Sequence, residues 1–331
     1  MPEIIQTIAR DLAERPLGPE WKGARIRVTQ VAEQYRSKIA RLTLQSSAGE
    51  LKMIVKFAAD RDVKHEYDLL THVGASMPSE SSVPRALRLY ESFGALVMEE
   101  CAGIPLTKWI SRWSWLGWLQ SDSQRVKSVV EACANLLRHF HSLTDIQTSV
   151  VNPLLHNESS EVVSRLESLD TSWPVDMPTS TRAELRHRTE SRFNKLADAE
   201  ASYALTHQDF ASHNVLISGS HVTLLDLADA RAGYPEEDVA RFLVDVETLA
   251  AGLVPTFRRR IVGDVRASFI RSYGRKLDAE RLSLFEFKAA LMILLTIQQF
   301  RANPRFSASW HARAARHLAG RILEWPYQSP Q

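Results

Sequence analysis

Apolar residues recur along this chain with two different periods, and the change from one to the other divides it. Ile4, Ile5, Ile8 and Leu12 share one face of a helix, with Glu3, Arg10 and Asp11 off it. From residue 25 the period shortens. Arg25–Thr29 alternates, Lys38–Leu44 is apolar at Ile39, Leu42 and Leu44, and Leu51–Phe57 ends in Met53-Ile54-Val55-Lys56-Phe57. These read as three strands. A short helix over Val63–Val73 follows, and two more strands are expected at Ala86–Tyr90 and Ala95–Glu99.

Beyond residue 100 helical spacing takes over. Leu106, Trp109, Ile110, Trp113 and Leu116 recur on one stripe, and Val126–Leu143 is amphipathic. Thr181 and Glu184 form a capping box for a charged helix ending near Glu200. Trp173–Pro178 is the most loop-like stretch, and four helices fill the chain from Glu237, broken at Val254-Pro255, near Gly274 and at Asn303-Pro304. The expected fold class is α+β, with a small sheet-bearing N-terminal lobe over residues 1–100 and a larger, mainly helical C-terminal lobe over 101–331.

Composition narrows the function. A chain of 331 residues with 44% hydrophobic and 24% charged residues can bury a substantial core. A formal net charge of only +2 implies neither a nucleic-acid nor a membrane partner. The two cysteines, Cys101 and Cys133, form neither a disulfide framework nor a metal-ligand spacing, which fits a reducing, cytoplasmic setting. The polar N-terminal helix does not read as a signal peptide. The uncharged apolar run Ala289–Phe300 carries Gln298 and Gln299 and is too short to cross a bilayer.

Candidate chemistry concentrates in "LTHQDFASHNVLISG", residues 205–219. Asn214–Ile217 and Val222–Leu227 are apolar runs joined by Ser218-Gly219-Ser220, a hairpin signal. His207, Asp209, His213 and Asn214 precede the first strand and Asp226 closes the second, so the hairpin is expected to gather Asp209, Asn214 and Asp226 at one end. One positioning acid, with an amide and a carboxylate for a hard cation, suits phosphoryl transfer.

His207-x-Asp209-x-x-x-x-Asn214, followed by Leu225-Asp226-Leu227-Ala228-Asp229, resembles the catalytic hairpin of the aminoglycoside phosphotransferase and choline kinase-like family. These small-molecule kinases have a protein-kinase-like fold. Upstream, Lys56 at the end of an apolar strand and Glu66 in the next helix are similar to the kinase lysine–glutamate pair. "LVMEECAG" resembles the family's hinge, and "EEDVARFL" its following helix. The resemblance spans roughly residues 25–245. It implies that Asp209 positions or deprotonates an acceptor hydroxyl, while Asn214 and Asp226 ligate Mg²⁺. Lys56 would hold the ATP phosphates, with GTP as an alternative nucleotide, and Glu66 would fix its ammonium. The backbone of Glu99–Cys101 would meet the base, with Met98 behind it. His207 is implied to be architectural and Asp238 a brace for the loop.

The sequence departs from that pattern at two places. The loop Ala32–Lys38 has no glycine, leaving Ser37 as its phosphate donor. Gln208 and Phe210 stand where the family usually has Gly and Leu or another residue. Only twelve positions separate Asp226 from Asp238, with no Ala-Pro-Glu, so a protein substrate is not expected. The acceptor is therefore expected to be a small-molecule hydroxyl. A nucleotide-binding pseudokinase acting as an interaction module is the rival reading, favoured by the missing glycines and opposed by the intact Lys56, Asp209, Asn214 and Asp226.

Other conspicuous residues read as structural. Trp109 and Trp113 fit the core, whereas Trp115 and Trp118 lie off the stripe. His213 and His221 read as hairpin surface. Residues 255–331 carry fourteen Lys and Arg against five acids, a local balance of 14 − 5 = +9. With Asp229 the one carboxylate expected beside the acceptor, a neutral, singly cationic or anionic acceptor is expected rather than a polyamine sugar.

Overall fold

The computed structural model describes residues 2–33, 38–58, 63–78, 81–110, 123–143, 146–148, 153–197, 201–252, 255–301 and 308–325. The chain folds as two compact units. One comprises Met1–Ile104 and Leu216–Ala230, the other Pro105–Val215 and Arg231–Gln331.

The first unit is built on a five-stranded antiparallel sheet of β1 (Arg25–Glu33), β2 (Lys38–Ser46), β3 (Gly49–Phe57), β5 (Ala86–Tyr90) and β6 (Ala95–Glu99), in the order β1-β2-β3-β6-β5. Alternation decides its two faces. Ala40, Leu42, Leu44, Leu51, Met53, Val55, Ala95 and Val97 pack against Ile5, Ile8 and Leu12 of α1 (Pro2–Glu14), all of them buried. Burying such a Leu, Ile or Val contributes about 1.5–3 kcal/mol. The opposite face carries Lys56, paired across the strands with Leu96, and Ile54, paired with Met98. In α2 (Val63–Gly74), Val63, Glu66, Leu70 and Val73 form the buried stripe. The i, i+3, i+7, i+10 spacing thus places a carboxylate on an otherwise apolar face.

A second sheet has the order β4-β11-β10-β7, from Ser81–Ser82 (β4), Ile104–Pro105 (β7), Val215–Ser218 (β10) and His221–Leu224 (β11). Its hairpin turns at Gly219, whose φ of +64° is a left-handed conformation that glycine adopts without strain. The strand expectations for residues 25–99 and the hairpin are met, as are the four closing helices.

The second unit is mainly helical: α3 (Ser123–Ser142), α4 (Pro153–Glu167), α5 (Thr179–Ala197), α6 (Pro235–Leu249), α7 (Pro255–Tyr273), α8 (Ala279–Phe300) and α9 (Ala308–Glu324). Residues 106–110 are helical with Trp109 buried; Trp113, Trp115 and Trp118 lie outside the described residues. A small sheet of Ile146–Thr148 (β8), Ala201–Thr206 (β9) and Arg231–Gly233 (β12), ordered β12-β9-β8, delivers the chain to His207. Such short strands carry no readable period. Helix α5 starts at Thr179, so Thr181 lies within its first turn and does not cap it. Aromatic rings knit the centre: Phe242 stacks on Phe269 at 4.5 Å and meets Phe210 at 5.4 Å.

The apolar run at 289–300 belongs to α8, which has 22 residues and a mean hydropathy of 1.3 over its most apolar stretch. By length and composition it is the one helix among the described residues able to cross a membrane. Yet 61% of that stretch is buried within the protein, with Leu284, Phe287, Ala290 and Leu291 at or near zero exposure.

Candidate active site

The first unit brings together Lys56, Glu66 and Asp226. Lys56 Nζ donates to Glu66 at 2.7 and 2.8 Å and to Asp226 Oδ1 at 2.6 Å. Lys56 and Glu66 are almost fully buried, whereas the Asp226 side chain is 40% exposed. Burial alone would lower the Lys56 pKa, but the charges of Glu66 and Asp226 raise it, so the ammonium stays protonated. Asp226 follows β11 at φ +60°, a costly left-handed conformation for a non-glycine residue and of the kind found at ligand-binding positions. The segment after it folds back through Ala230 N–H to Leu227 O, and the Ala230 carbonyl lies 2.8 Å from His65 Nε2 on α2.

At the end of β6, Met98 lies on the face that carries Lys56. The Glu99 N–H donates to Arg85 O and the Glu100 N–H to Lys52 O, so both are used within the sheet. Cys101 is half-buried, and burial with the charges of Glu99 and Glu100 pushes its thiol up to about 11, which makes it an inert neutral group. Ser37, with residues 34–36 of the same loop, lies outside the described residues. Asp229 is exposed.

The second unit brings together Asp209 and Asn214. The loop that holds them is fixed by Asp238 in the first turn of α6. This fully buried carboxylate accepts from His207 N–H at 2.6 Å, Gln208 N–H at 2.8 Å and His141 Nε2 at 2.9 Å. His141 Nδ1 in turn meets Tyr273 Oη at 2.7 Å. The His207 ring is fully buried between Phe140 and Phe210. His207 and Phe210 therefore anchor the loop in the core on either side of Asp209, and Asp238 braces it as the resemblance implied.

Asp209 itself is 41% exposed and accepts three side-chain contacts: Arg241 Nε at 2.9 Å on Oδ1, with Asn214 Nδ2 at 3.1 Å and His213 Nε2 at 3.3 Å on Oδ2. Burial would raise its pKa, but the His213 hydrogen bond and the Arg241 charge outweigh that and hold the carboxyl well below the usual carboxylate range. Arg241 and His213 were not found from sequence. His213 reads there as surface, and although exposed it reaches Asp209. Arg241 lies 32 positions downstream, its one sequence signal being a charge three residues after Asp238 on an apolar helix.

Asn214 Nδ2 also donates to the Asp209 carbonyl at 3.0 Å. Its amide nitrogen is thereby committed to two acceptors, which leaves Oδ1 as the atom able to bind a cation. In the first unit, Asp226 separately presents a part-exposed carboxylate; amide and carboxylate oxygens are both of the hard type that Mg²⁺ takes. Among the described residues no group of three or more His, Cys, Asp or Glu is arranged to hold a metal ion.

The sequence matches a model of the phosphotransferase enzyme family over residues 28–285. Among solved structures, a choline/ethanolamine kinase family protein from Mesorhizobium loti superposes with a TM-score of 0.58 at 14% identity, covering 98% of this chain and 96% of that one. A macrolide 2'-phosphotransferase from Brachybacterium faecium gives 0.54 at 14% identity, covering 99% and 100%. An amicoumacin kinase in complex with AMP-PNP and Ca²⁺ gives 0.58 at 16% identity, covering 99% and 98%. No curated protein matches the sequence. The fold is thus the two-lobe, protein-kinase-like α+β fold expected from the sequence.

Proposed function

Because this chain belongs to the phosphotransferase enzyme family, we propose that it transfers the terminal phosphoryl group of ATP to a hydroxyl of a small molecule, with Mg²⁺. The observation that carries this reading is the half-open Asp209 carboxylate, held by three donors on a loop clamped through Asp238.

Lys56 binds the α- and β-phosphates, and Glu66 keeps its ammonium aimed. Asn214 and Asp226 supply oxygens to the metal, which when bound neutralises charge on the phosphates. The backbone of Glu99–Cys101 meets the base, with Met98 behind it; Ser37 is proposed as a further phosphate donor. Asp209 accepts a hydrogen bond from the incoming hydroxyl and orients it. Its depressed pKa makes it a weak base, which suits phosphoryl transfer through a loose transition state, where positioning outweighs early deprotonation.

The acceptor's charge follows less directly. Arg266, Arg281, Lys288, Arg301 and Arg321 all lie against carboxylates of their own unit, so much of the excess positive charge at 255–331 is satisfied internally. What supports an acceptor other than a polyamine is that Asp209 already carries Arg241 and His213. Asp229, beyond the metal ligand, is proposed to meet a single amino group if the acceptor has one.

Formation of ADP from ATP, or of GDP from GTP, with Mg²⁺ and a panel of hydroxylated compounds, tests the function. Asp209→Asn is expected to bind nucleotide normally while turnover falls roughly 10²-fold or more. Wild-type turnover in that variant would remove Asp209 from the mechanism.

A further inference from the structure

Gln208 precedes Asp209 and adopts φ +70°, a conformation that glycine takes freely and a glutamine does not. Its side chain is tied down as firmly as its backbone. Gln208 Nε2 donates to Thr206 Oγ1 at 2.6 Å and to Glu237 Oε2 at 3.0 Å. The Thr206 hydroxyl passes on to the Arg231 carbonyl at 2.8 Å, and Arg231 Nη2 reaches Glu158 Oε1 at 3.3 Å. Lys288 closes the circuit, donating to Glu158 and, at 2.6 Å, to Glu237 Oε1. Six residues from β9, the loop, β12, α4, α6 and α8 thus form one ring. Gly233 leaves room for it: a Cβ there would fall 2.5 Å from Thr206 Oγ1 and 3.0 Å from Gln208 Nε2.

Residues 237 and 238 hold Gln208 from two sides, Glu237 through its side-chain amide and Asp238 through its backbone N–H. The dihedral angles of Gln208 set the direction in which Asp209 leaves the loop. On its C-terminal side Asp209 is held through its carbonyl, by Ala211 N–H at 2.8 Å and Asn214 Nδ2 at 3.0 Å. On its N-terminal side its own N–H makes only a long 3.3 Å contact with His207 Nδ1, so orientation there falls to Gln208.

We propose that Gln208 is a positioning residue for Asp209, and that the Thr206–Glu237–Lys288–Glu158–Arg231 ring is the anchor that holds it in its left-handed conformation. The proposal rests on the reading of Asp209 as the residue that orients the attacking group. A glycine would fit the backbone at 208, but without the amide the peptide would swing and the Asp209 carboxylate would lose its fixed direction. Misplacement of this kind acts on turnover rather than on nucleotide affinity.

The test uses the full-length protein, Mg·ATP and water as the acceptor, with amide hydrogen exchange of the 203–211 segment read in parallel by mass spectrometry. Gln208→Gly and Thr206→Val, the latter isosteric but without the hydroxyl, are expected to lower kcat roughly tenfold with KM for ATP unchanged. Both should also speed exchange at 203–211 while leaving the sheet of the first unit as it is. Thr206→Ser, which keeps the hydroxyl, should restore both readouts. Wild-type kcat and exchange in Gln208→Gly and Thr206→Val would overturn the proposal, and where water turns over too slowly to measure, unchanged exchange alone overturns it. Asp209→Asn run alongside separates the two ideas. Full turnover there sinks the functional reading, whereas a dead Asp209→Asn beside an unaffected Gln208→Gly sinks only this inference.

Discussion

Each unit holds a lysine between two carboxylates, and the two clusters differ most in exposure. In the first unit Lys56 lies against Glu66 and Asp226, with side-chain exposures of 8%, 2% and 40%. In the second, Lys288 lies against Glu158 and Glu237, with exposures of 6%, 10% and 10%. Two acids share one ammonium in both. Only the first has a member open to water, and it stands on a residue in left-handed conformation. A closed cluster fixes helices against one another, because every partner lost there leaves a buried charge. An open one can exchange a partner, which a metal-binding carboxylate must do. The same side-chain chemistry thus closes on itself in one place and stays open in the other, which is what the ligand role proposed for Asp226 requires.

Three variants press on that difference. Lys288→Met removes the cation that Glu158 and Glu237 share, leaving Glu158 with the more exposed Arg231, and burial with the Glu158 charge already raises the Glu237 pKa. Urea unfolding is expected to show a loss of about 3–5 kcal/mol; a loss near zero would mean that the closed cluster does not fix the helices. Lys56→Met should reverse the balance. ADP formation falls by about 10²-fold, while the stability loss is smaller than that of Lys288→Met by at least about 1 kcal/mol, since Asp226 returns to water. Equal stability losses in the two variants would erase the distinction. The smallest effect concerns His213→Gln. Burial would lower the His213 pKa, but its bond to Asp209 and the Asp209 charge raise it. The stabilisation from this pair is therefore complete below about pH 6.5 and is lost as pH rises through the raised value. Both groups are about half exposed, so the Tm gap between wild type and variant should be small in acid and vanish in alkali. A gap that widens with pH would reverse the assignment.

These contrasts also mark how far the sequence could be read. Lys56 was legible because it ends an apolar strand, and Glu66, in the next helix, through its likeness to the kinase pair; the buried stripe it shares with Leu70 and Val73 appears only in the structure. Asp209, Asn214 and Asp226 were legible because one hairpin strings them along the chain. The closed cluster was not, since Glu158 and Lys288 lie 130 positions apart and each looks like an ordinary helix charge. Its one local signal is that Glu286 and Lys288 sit among the apolar residues of Leu282–Leu295, where charges without partners would be expelled. The three-residue strands β8 and β12 escaped for another reason: a period cannot be read from three residues. Gln208 reads as a departure from the family pattern, and its role becomes visible only when φ and the ring are seen together.

The first unit is discontinuous in sequence, and this has a consequence for the order in which it is made. Strands β10 and β11 and the acid Asp226 come from Leu216–Ala230, while the rest of the unit ends at Ile104. A ribosome adding 5–20 residues per second needs roughly 6–22 s to cross the intervening stretch. During that interval the five-stranded sheet and its helices are available to fold, but β4 lacks the parallel partner that β11 provides and Lys56 lacks Asp226. The nascent unit therefore waits with Lys56 held by Glu66 alone of these two acids, and gains Asp226, the acid proposed to bind metal, only once the hairpin has been made.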